Sequence, residues 1–450
     1  MERSIDGRSR RGLGLWMATA LVVGNMIGSG VFLLPATLAQ YGGISVGGWL
    51  VTSAGALLLA LVFARLSSMV PKAGGPYVYT RRGLGEFAGF LVAWGYWISI
   101  WTSNAAIAVA LVSYLSVFWP ALTQNGVLAA SVAISTIWLL SWINASGVRN
   151  AGFVQVTTVI LKLVPLVAVA TLGLLYFNSD HFTPLNVSGE TNLSAITATV
   201  ALTLWAFLGL ESATVPAGDV VDPERTIPRA TVFGTLCAAT VYILGTVAVM
   251  GIIPPAGLAT SSAPFADAAS KVWGGWAAYG VGMGAVISCF GALNGWIMLQ
   301  GQIPFAAARD GVFPAFFGRT SKQGTPTLGI LISSVLVSVL IATNYTRSLV
   351  EQFKFIILLA TLNTLVPYAL SCVSELMIFI KERSRFSGQR LMGSSVIALL
   401  AFAYTVWAIA GAGSRTVYLG FLLLLLGLPV YVWVKWQQSY QKNDAVKTEG

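Results

Sequence analysis

The chain of 450 residues holds 26 basic and 16 acidic residues, a net charge of +10, yet only 9% of its residues are charged while 56% are apolar. Soluble domains carry about a quarter charged residues, so this composition cannot supply a polar shell and excludes a water-soluble fold. A bilayer is the solvent that fits, because each crossing uses about 20 apolar residues and little of the chain is left for a soluble domain.

Residues 1–12 form a basic tail with Arg3, Arg8, Arg10 and Arg11. The first apolar span, at 13–37, is too long for a signal-peptide core and no small-residue cleavage site is evident, so no cleavage is expected. Further spans are expected at 44–68, 86–119, 124–143 and 152–176, then at 194–221, 230–252, 273–308, 325–343 and 351–377. The last two lie at 393–411 and 416–436, before a tail at 437–450. With the N-terminus inside, 21 of the 26 lysines and arginines fall on cytoplasmic segments; Lys271, Arg347, Lys354 and Arg415 do not, and Lys162 lies within a span. This positive-inside asymmetry places both termini in the cytoplasm, in a multi-pass protein of the cell (inner) membrane. It also explains the net charge without nucleic acid as a partner.

The cysteines Cys237, Cys289 and Cys372 all lie in apolar spans and read as small core residues, not a disulfide framework. His181 is the one histidine, in an external loop, so no histidine-based metal motif and no cofactor is expected.

Two spans carry glycine and polar residues where Leu or Val would extend a helix. One is Gly24-Asn25-Met26-Ile27-Gly28-Ser29-Gly30 in the first span, followed by Pro35. The other is Phe207-Leu208-Gly209-Leu210-Glu211-Ser212-Ala213 in the sixth, followed by Pro216. Unwound backbone is tolerated at membrane depth only where protein or a cavity satisfies its polar groups, and half-helix ends then offer donors and dipoles to a charged ligand. A Gly-x-x-x-Gly packing face explains Gly24 and Gly28 equally well on their own. The pairing decides between them: breaks in spans 1 and 6 occupy the same place in two five-helix units. The expected fold is an all-α membrane protein of about twelve transmembrane helices. A first inverted repeat covers 13–176, a second covers 194–377, and two extra helices cover 393–436.

Glu211 lies inside the second break, and Lys162 sits about ten residues into span 5, roughly 15 Å from its end at 1.5 Å per residue. Charges at such depth usually mark ion or substrate pathways, although a structural hydrogen bond is the plainer alternative for each. Trp205 precedes Glu211 near the break, and Trp296 follows Gly295 in span 8. An aromatic face beside a desolvated cation contributes about 2 kcal/mol. Asn25 and Asn104 are polar groups at membrane depth that either bind a ligand or hold helices together.

At these residues the chain resembles the amino acid–polyamine–organocation superfamily, and within it the basic amino acid/polyamine antiporters that include arginine/agmatine exchangers. The run Gly24 to Pro35 resembles the helix 1 signature of that family, and Thr203 to Ala213 resembles helix 6, followed by Asp222-Pro223-Glu224-Arg225. Gly74-Gly75-Pro76-Tyr77, Tyr96-Trp97, Asn104 and Gly295-Trp296 also match, so the likeness covers residues 12–380. The resemblance implies that helix 1 backbone at Asn25, Ile27, Gly28, Ser29 and Gly30 holds an α-carboxylate. It implies that Tyr96, Asn104, Gly209 and Trp296 complete the substrate site and that Trp205 and Glu211 gate and couple it. Phe355 to Ala360 in span 10 lacks the paired serines of arginine/agmatine exchangers, which puts arginine specificity in question. Lys162 resembles the helix 5 lysine of other branches, whose ammonium stands where a second sodium ion binds, and so implies sodium-independent transport.

The expected function is secondary active, alternating-access transport. The leading form is an antiporter that exchanges a cationic, arginine-like amino acid for its amine product or another amino acid. The alternative is a proton-coupled symporter for neutral amino acids, favoured by Lys162 and the apolar tenth span. Expected partners are the amino acid or polyamine, the bilayer, protons if transport is proton-coupled, and a second copy if the protein is a homodimer. A channel would not require paired broken helices, and single-channel currents would reveal one. A membrane enzyme would need a nucleophile–base or metal constellation that the sequence lacks.

Overall fold

The computed structural model describes residues 13–72, 74–146, 162–214, 220–322, 324–382 and 391–449. The basic tail, Arg149, Pro216 and the loop residues Arg383, Arg385 and Arg390 lie outside them.

Glycine and proline divide the apolar runs into elements. The first span is two helices, α1 (Leu15–Met26) and α2 (Gly30–Ala39), and α3 (Ile44–Met69) returns across the bundle. A short helix, α4 (Pro76–Leu84), starts on a proline, which loses no hydrogen bond in a first turn, and leads into α5 (Glu86–Leu115). Next come α6 (Gly126–Ala145) and α7 (Lys162–Tyr176). The sixth span begins as α8 (Asn192–Leu204) and then dissolves into tight and extended turns up to Thr214. It is followed by α9 (Pro223–Ile252), an amphipathic α10 (Pro264–Trp273) and α11 (Gly275–Arg309). The remainder is α12 (Thr327–Ala342), α13 (Leu349–Lys381), α14 (Leu391–Ala410), α15 (Ser414–Leu425) and α16 (Gly427–Glu449).

Among the described residues nine helical segments are long and apolar enough to cross a membrane, and three shorter apolar helices bring the apolar segments to twelve, the number expected. Among those residues the only strand-like pairing is an isolated bridge between Leu13 and Val220. Span ends depart from expectation where polar turns belong to a helix. α9 starts at Pro223, before the apolar run, and α13 runs on to Lys381. α5 stops at Leu115 because Pro120 ends the stretch that hydropathy alone would continue. The last span is α15 and α16 joined at Leu426, and α16 continues to Glu449.

Burial orders the helices. In the most apolar window of α5, 94% of residues are buried, and 83% in α13, against 28% in α6 and 22% in the last span. Thus α5 and α13 form the axis of the bundle, while the outer helices present their apolar surface to lipid.

The two ends of the bundle are fastened differently. On the face that carries the basic loops, Arg65 of α3 pairs with the buried Glu375 of α13 at 2.7 Å, and Arg82 of α4 grips Glu382 at 2.6 Å. Tyr77 donates to Asp310 at 2.9 Å beside Arg81, Lys381 donates to the Gly83 carbonyl at 2.8 Å, and Lys435 of α16 pairs with Glu86. On the opposite face Lys354 donates to Gln40 at 2.7 Å and lies over the Tyr41 ring.

Candidate functional site between the broken helices

The first break follows directly from its residues. At Ile27 the chain leaves helical geometry, and the Gly28 N–H bonds the Met26 carbonyl, so the Gly24 carbonyl loses its helical donor. Lys162, 1% exposed, donates to that carbonyl at 2.6 Å. Its ammonium therefore sits at the negative end of α1, where a cation is favoured. Ser288 of α11 approaches the Gly28 carbonyl at 3.4 Å.

In the second break Leu208 is extended and Gly209 has φ +100, a conformation L side chains rarely adopt, so glycine is required there. Tyr242 donates to the Ala206 carbonyl at 2.9 Å, and Ser212 closes on the Gly209 carbonyl. Glu211 is fully buried, and both of its oxygens are occupied: Tyr96 of α5 donates to Oε1, and Tyr368 of α13 donates to Oε2 at 2.5 Å. One carboxyl thus joins the sixth span to the two axial helices.

Between the breaks lies a small cavity of about 20 Å³. Asn25, Gly28, Ser29, Gly30, Trp205 and Trp296 all line it, joined by Ser103 and Ile107 of α5 and Ala292 of α11. Gly30 allows close approach, since a Cβ there would come 2.7 Å from the Trp205 ring. That ring stands edge-on to Phe353 at 5.2 Å. Gly30 also begins α2, whose first N–H groups have no acceptor within the helix and whose dipole favours an anion. Ser29 Oγ, Ser103 Oγ and Trp205 Nε1 are buried without a hydrogen-bond partner among the described residues. Buried polar groups are normally satisfied, so three such atoms on residues lining one cavity mark a place for a polar ligand.

The remaining expected residues stand outside the cavity lining. Ile27 is buried at the end of α1, and Gly209 packs between Asn25 and Trp296. Tyr96 serves Glu211, Asn104 donates to Gln300 at 2.7 Å, and Lys162 and Glu211 brace the breaks from behind. Sequence reasoning passed over Tyr368 and Ser103. The available signal was polarity at membrane depth, in the apolar tenth and third spans.

The family model described as amino acid permease matches residues 13–433. A cadaverine/lysine antiporter of Escherichia coli strain K12 is 35% identical over 431 residues, covering 94% of this chain and 95% of the relative. A putrescine transporter of Haemophilus influenzae is 32% identical over 432 residues, covering 96% and 98%. Among solved structures, a manganese transporter of Eremococcus coleocola superposes with a TM-score of 0.60 over 96% of both chains at 14% identity, a likeness of fold alone.

Proposed function

We propose, because this chain belongs to the amino acid permease family, that it is a sodium-independent antiporter exchanging a cationic amino acid for its amine product or another amino acid by alternating access. The observation that carries this reading is the cavity between two broken helices, with unpaired Ser29, Ser103 and Trp205 atoms facing it. An α-carboxylate is received by the N-terminal turn of α2 at Ser29 and Gly30, beside Asn25, Ile27 and Gly28. The substrate's hydrocarbon chain and cation lie between Trp205 and Trp296, with Asn104 and Gly209 beyond them. Trp205 closes the site, while Glu211, held by Tyr96, couples occupancy to protonation. Lys162 supports sodium independence, because a fixed ammonium already occupies the carbonyl end of α1. The names of the relatives, an antiporter of an amino acid and its amine among them, favour exchange over proton-coupled symport of neutral amino acids.

In this reading residues 13–176 and 194–377 are the inverted repeats that rock against each other, with 393–436 appended. The basic face and both termini are cytoplasmic, the membrane is the inner membrane, and the substrate crosses chemically unchanged. The tenth span, in its stretch Phe355 to Ala360, lacks the paired serines that would favour arginine, so arginine is one candidate cargo among several. Counterflow in proteoliposomes tests the proposal: vesicles loaded with one radiolabelled cationic amino acid are challenged with every amino acid and a series of diamines. Trans-stimulation by cationic amino acids and their amines is expected. Uptake that needs no internal substrate would establish symport instead.

A further inference from the structure

A second hollow, on the face that carries the basic loops, shares no lining residue with the cavity between the breaks. It is an open groove of about 480 Å³ between α16 and the short helical turn Ala315–Gly318 that follows α11. Trp433, Trp436, Gln437 and Tyr440 supply one wall, and their i, i+3, i+4, i+7 spacing places them in one stripe along α16. Phe316 and Arg319 supply the other. Both walls are fixed from behind. Phe317 is buried against Trp97 at 5.7 Å, while Lys435 pairs with Glu86 and Gln438 donates to the Gly311 carbonyl.

The chain leaves the surface of this groove unused. Trp436 is 63% exposed and Tyr440 58%. Such rings at the end of a membrane span belong at headgroup level, where an apolar body and a polar edge are both matched. Arg319 goes beyond an aromatic belt. It is exposed, and among the described residues no carboxylate lies within ion-pair distance of it. Other acids of this face are committed elsewhere: Glu86 to Lys435, Asp310 to Arg81 and Tyr77, and Glu382 to Arg82. No acid lines the groove, so its polar groups are a guanidinium, two indole N–H groups, a phenol and an amide.

We propose that this groove binds the headgroup of an anionic phospholipid. A phosphodiester has two free oxygens, which a guanidinium fork meets with two parallel hydrogen bonds. The indole, phenol and amide groups add further donors. A zwitterionic headgroup would bring an ammonium for which the groove holds no carboxylate. Basic pockets beside membrane helices suit anionic headgroups for this reason. The acyl chains continue over exposed apolar side chains of the last span, Val432 and Leu426 among them. A free phosphate would gain one exposed arginine and leave the aromatic walls bare to water. A second copy would double the unpaired positive charge, because in a two-fold contact the same surface meets itself. The site does not depend on which solute is exchanged.

Delipidated wild type, Arg319→Ala, Arg319→Lys, Trp436→Ala and Lys322→Ala are titrated in detergent with phosphatidylglycerol or phosphatidylcholine, with and without inorganic phosphate. Native mass spectrometry counts bound lipid, and gel filtration reports folding and oligomeric state. Wild type should bind phosphatidylglycerol at least about ten-fold more tightly than phosphatidylcholine, the usual worth of hydrogen bonds to a charged group. Arg319→Ala should remove that preference and Arg319→Lys should keep part of it. Trp436→Ala should weaken both lipids, and Lys322→Ala, which removes another exposed cation of the same face, should change neither. Equal binding of the two lipids by wild type, or a preference that survives Arg319→Ala, would overturn the headgroup site and leave an aromatic belt. Millimolar inorganic phosphate displacing the lipid would make this a site for a free anion. A lipid-free dimer that Trp436→Ala dissociates would assign the groove to a second copy. Either of these last results also overturns the proposal.

Discussion

Glu211 has no exposed surface, and its two oxygens accept hydrogen bonds from two phenols, Tyr96 and Tyr368. A buried carboxyl that exchanges its proton for a substrate's positive charge links occupancy to pH. Glu211→Gln, nearly isosteric but unable to ionise, should fold, reach the membrane and lose the pH dependence of initial exchange rates between about pH 5 and pH 8. With a cationic substrate the loss of rate should also be severe. An unchanged profile with unchanged affinity would reduce Glu211 to a brace between helices. Gly30 supports a second prediction. A side chain there would displace the Trp205 ring, whereas one at Gly28 would meet the Ala292 methyl at 3.3 Å, a milder contact. Both Gly30→Val and Gly28→Val should insert normally and lose substrate binding, the first more completely. Normal affinity in both, read by substrate-induced thermal stabilisation, would leave only a packing role for the glycines.

Among the elements, α7 meets the first break through Lys162, which donates to the Gly24 carbonyl. Lys162→Ala leaves that carbonyl buried and unsatisfied, a cost of about 1–3 kcal/mol, and should slow exchange far more than Lys322→Ala on an exposed loop. Wild-type uptake should be equal in sodium, potassium and choline buffers; a strict sodium requirement would refute this role for the helix. The break at Gly24 to Gly30 was legible because glycine and asparagine are conspicuous in an apolar run, and so was the break at Gly209. The bracing was not. Nothing in the spacing of Tyr96 and Tyr368 along the chain shows that both reach Glu211, because that depends on how α5 and α13 pack. Asn104 illustrates the same limit: its polarity was visible, but its bond to Gln300 needed the relative position of α11. α4 and α10 escaped hydropathy reading because they are short and carry a polar face.

For the whole bundle, the contrast between its two faces predicts how it moves. Solvent-facing pairs such as Arg82–Glu382 and Lys435–Glu86 contribute about 1 kcal/mol or less each, but together with Arg65 and the buried Glu375 they join α3, α4, α5, α13 and α16 and must break together if this face opens. Arg82→Glu and Glu382→Arg should each alter the balance between open and closed forms, and the double exchange should restore it. Accessibility of a single engineered cysteine in the cavity to a membrane-impermeant thiol reagent, applied from either side, reads that balance. Failure of the double variant to recover would mean that the Arg82–Glu382 pair is incidental to closure.

The unwound backbone in both breaks is already held by side chains from other spans: Lys162, Ser288 and Tyr242 cover its carbonyls. An arriving solute therefore has no helix to melt, and little ordering entropy opposes its capture. Recognition and motion become separable in time. Capture needs no unfolding of the breaks, and the slower rearrangement of packed helices sets the turnover, so cooling should slow turnover steeply while leaving the equilibrium affinity comparatively little changed.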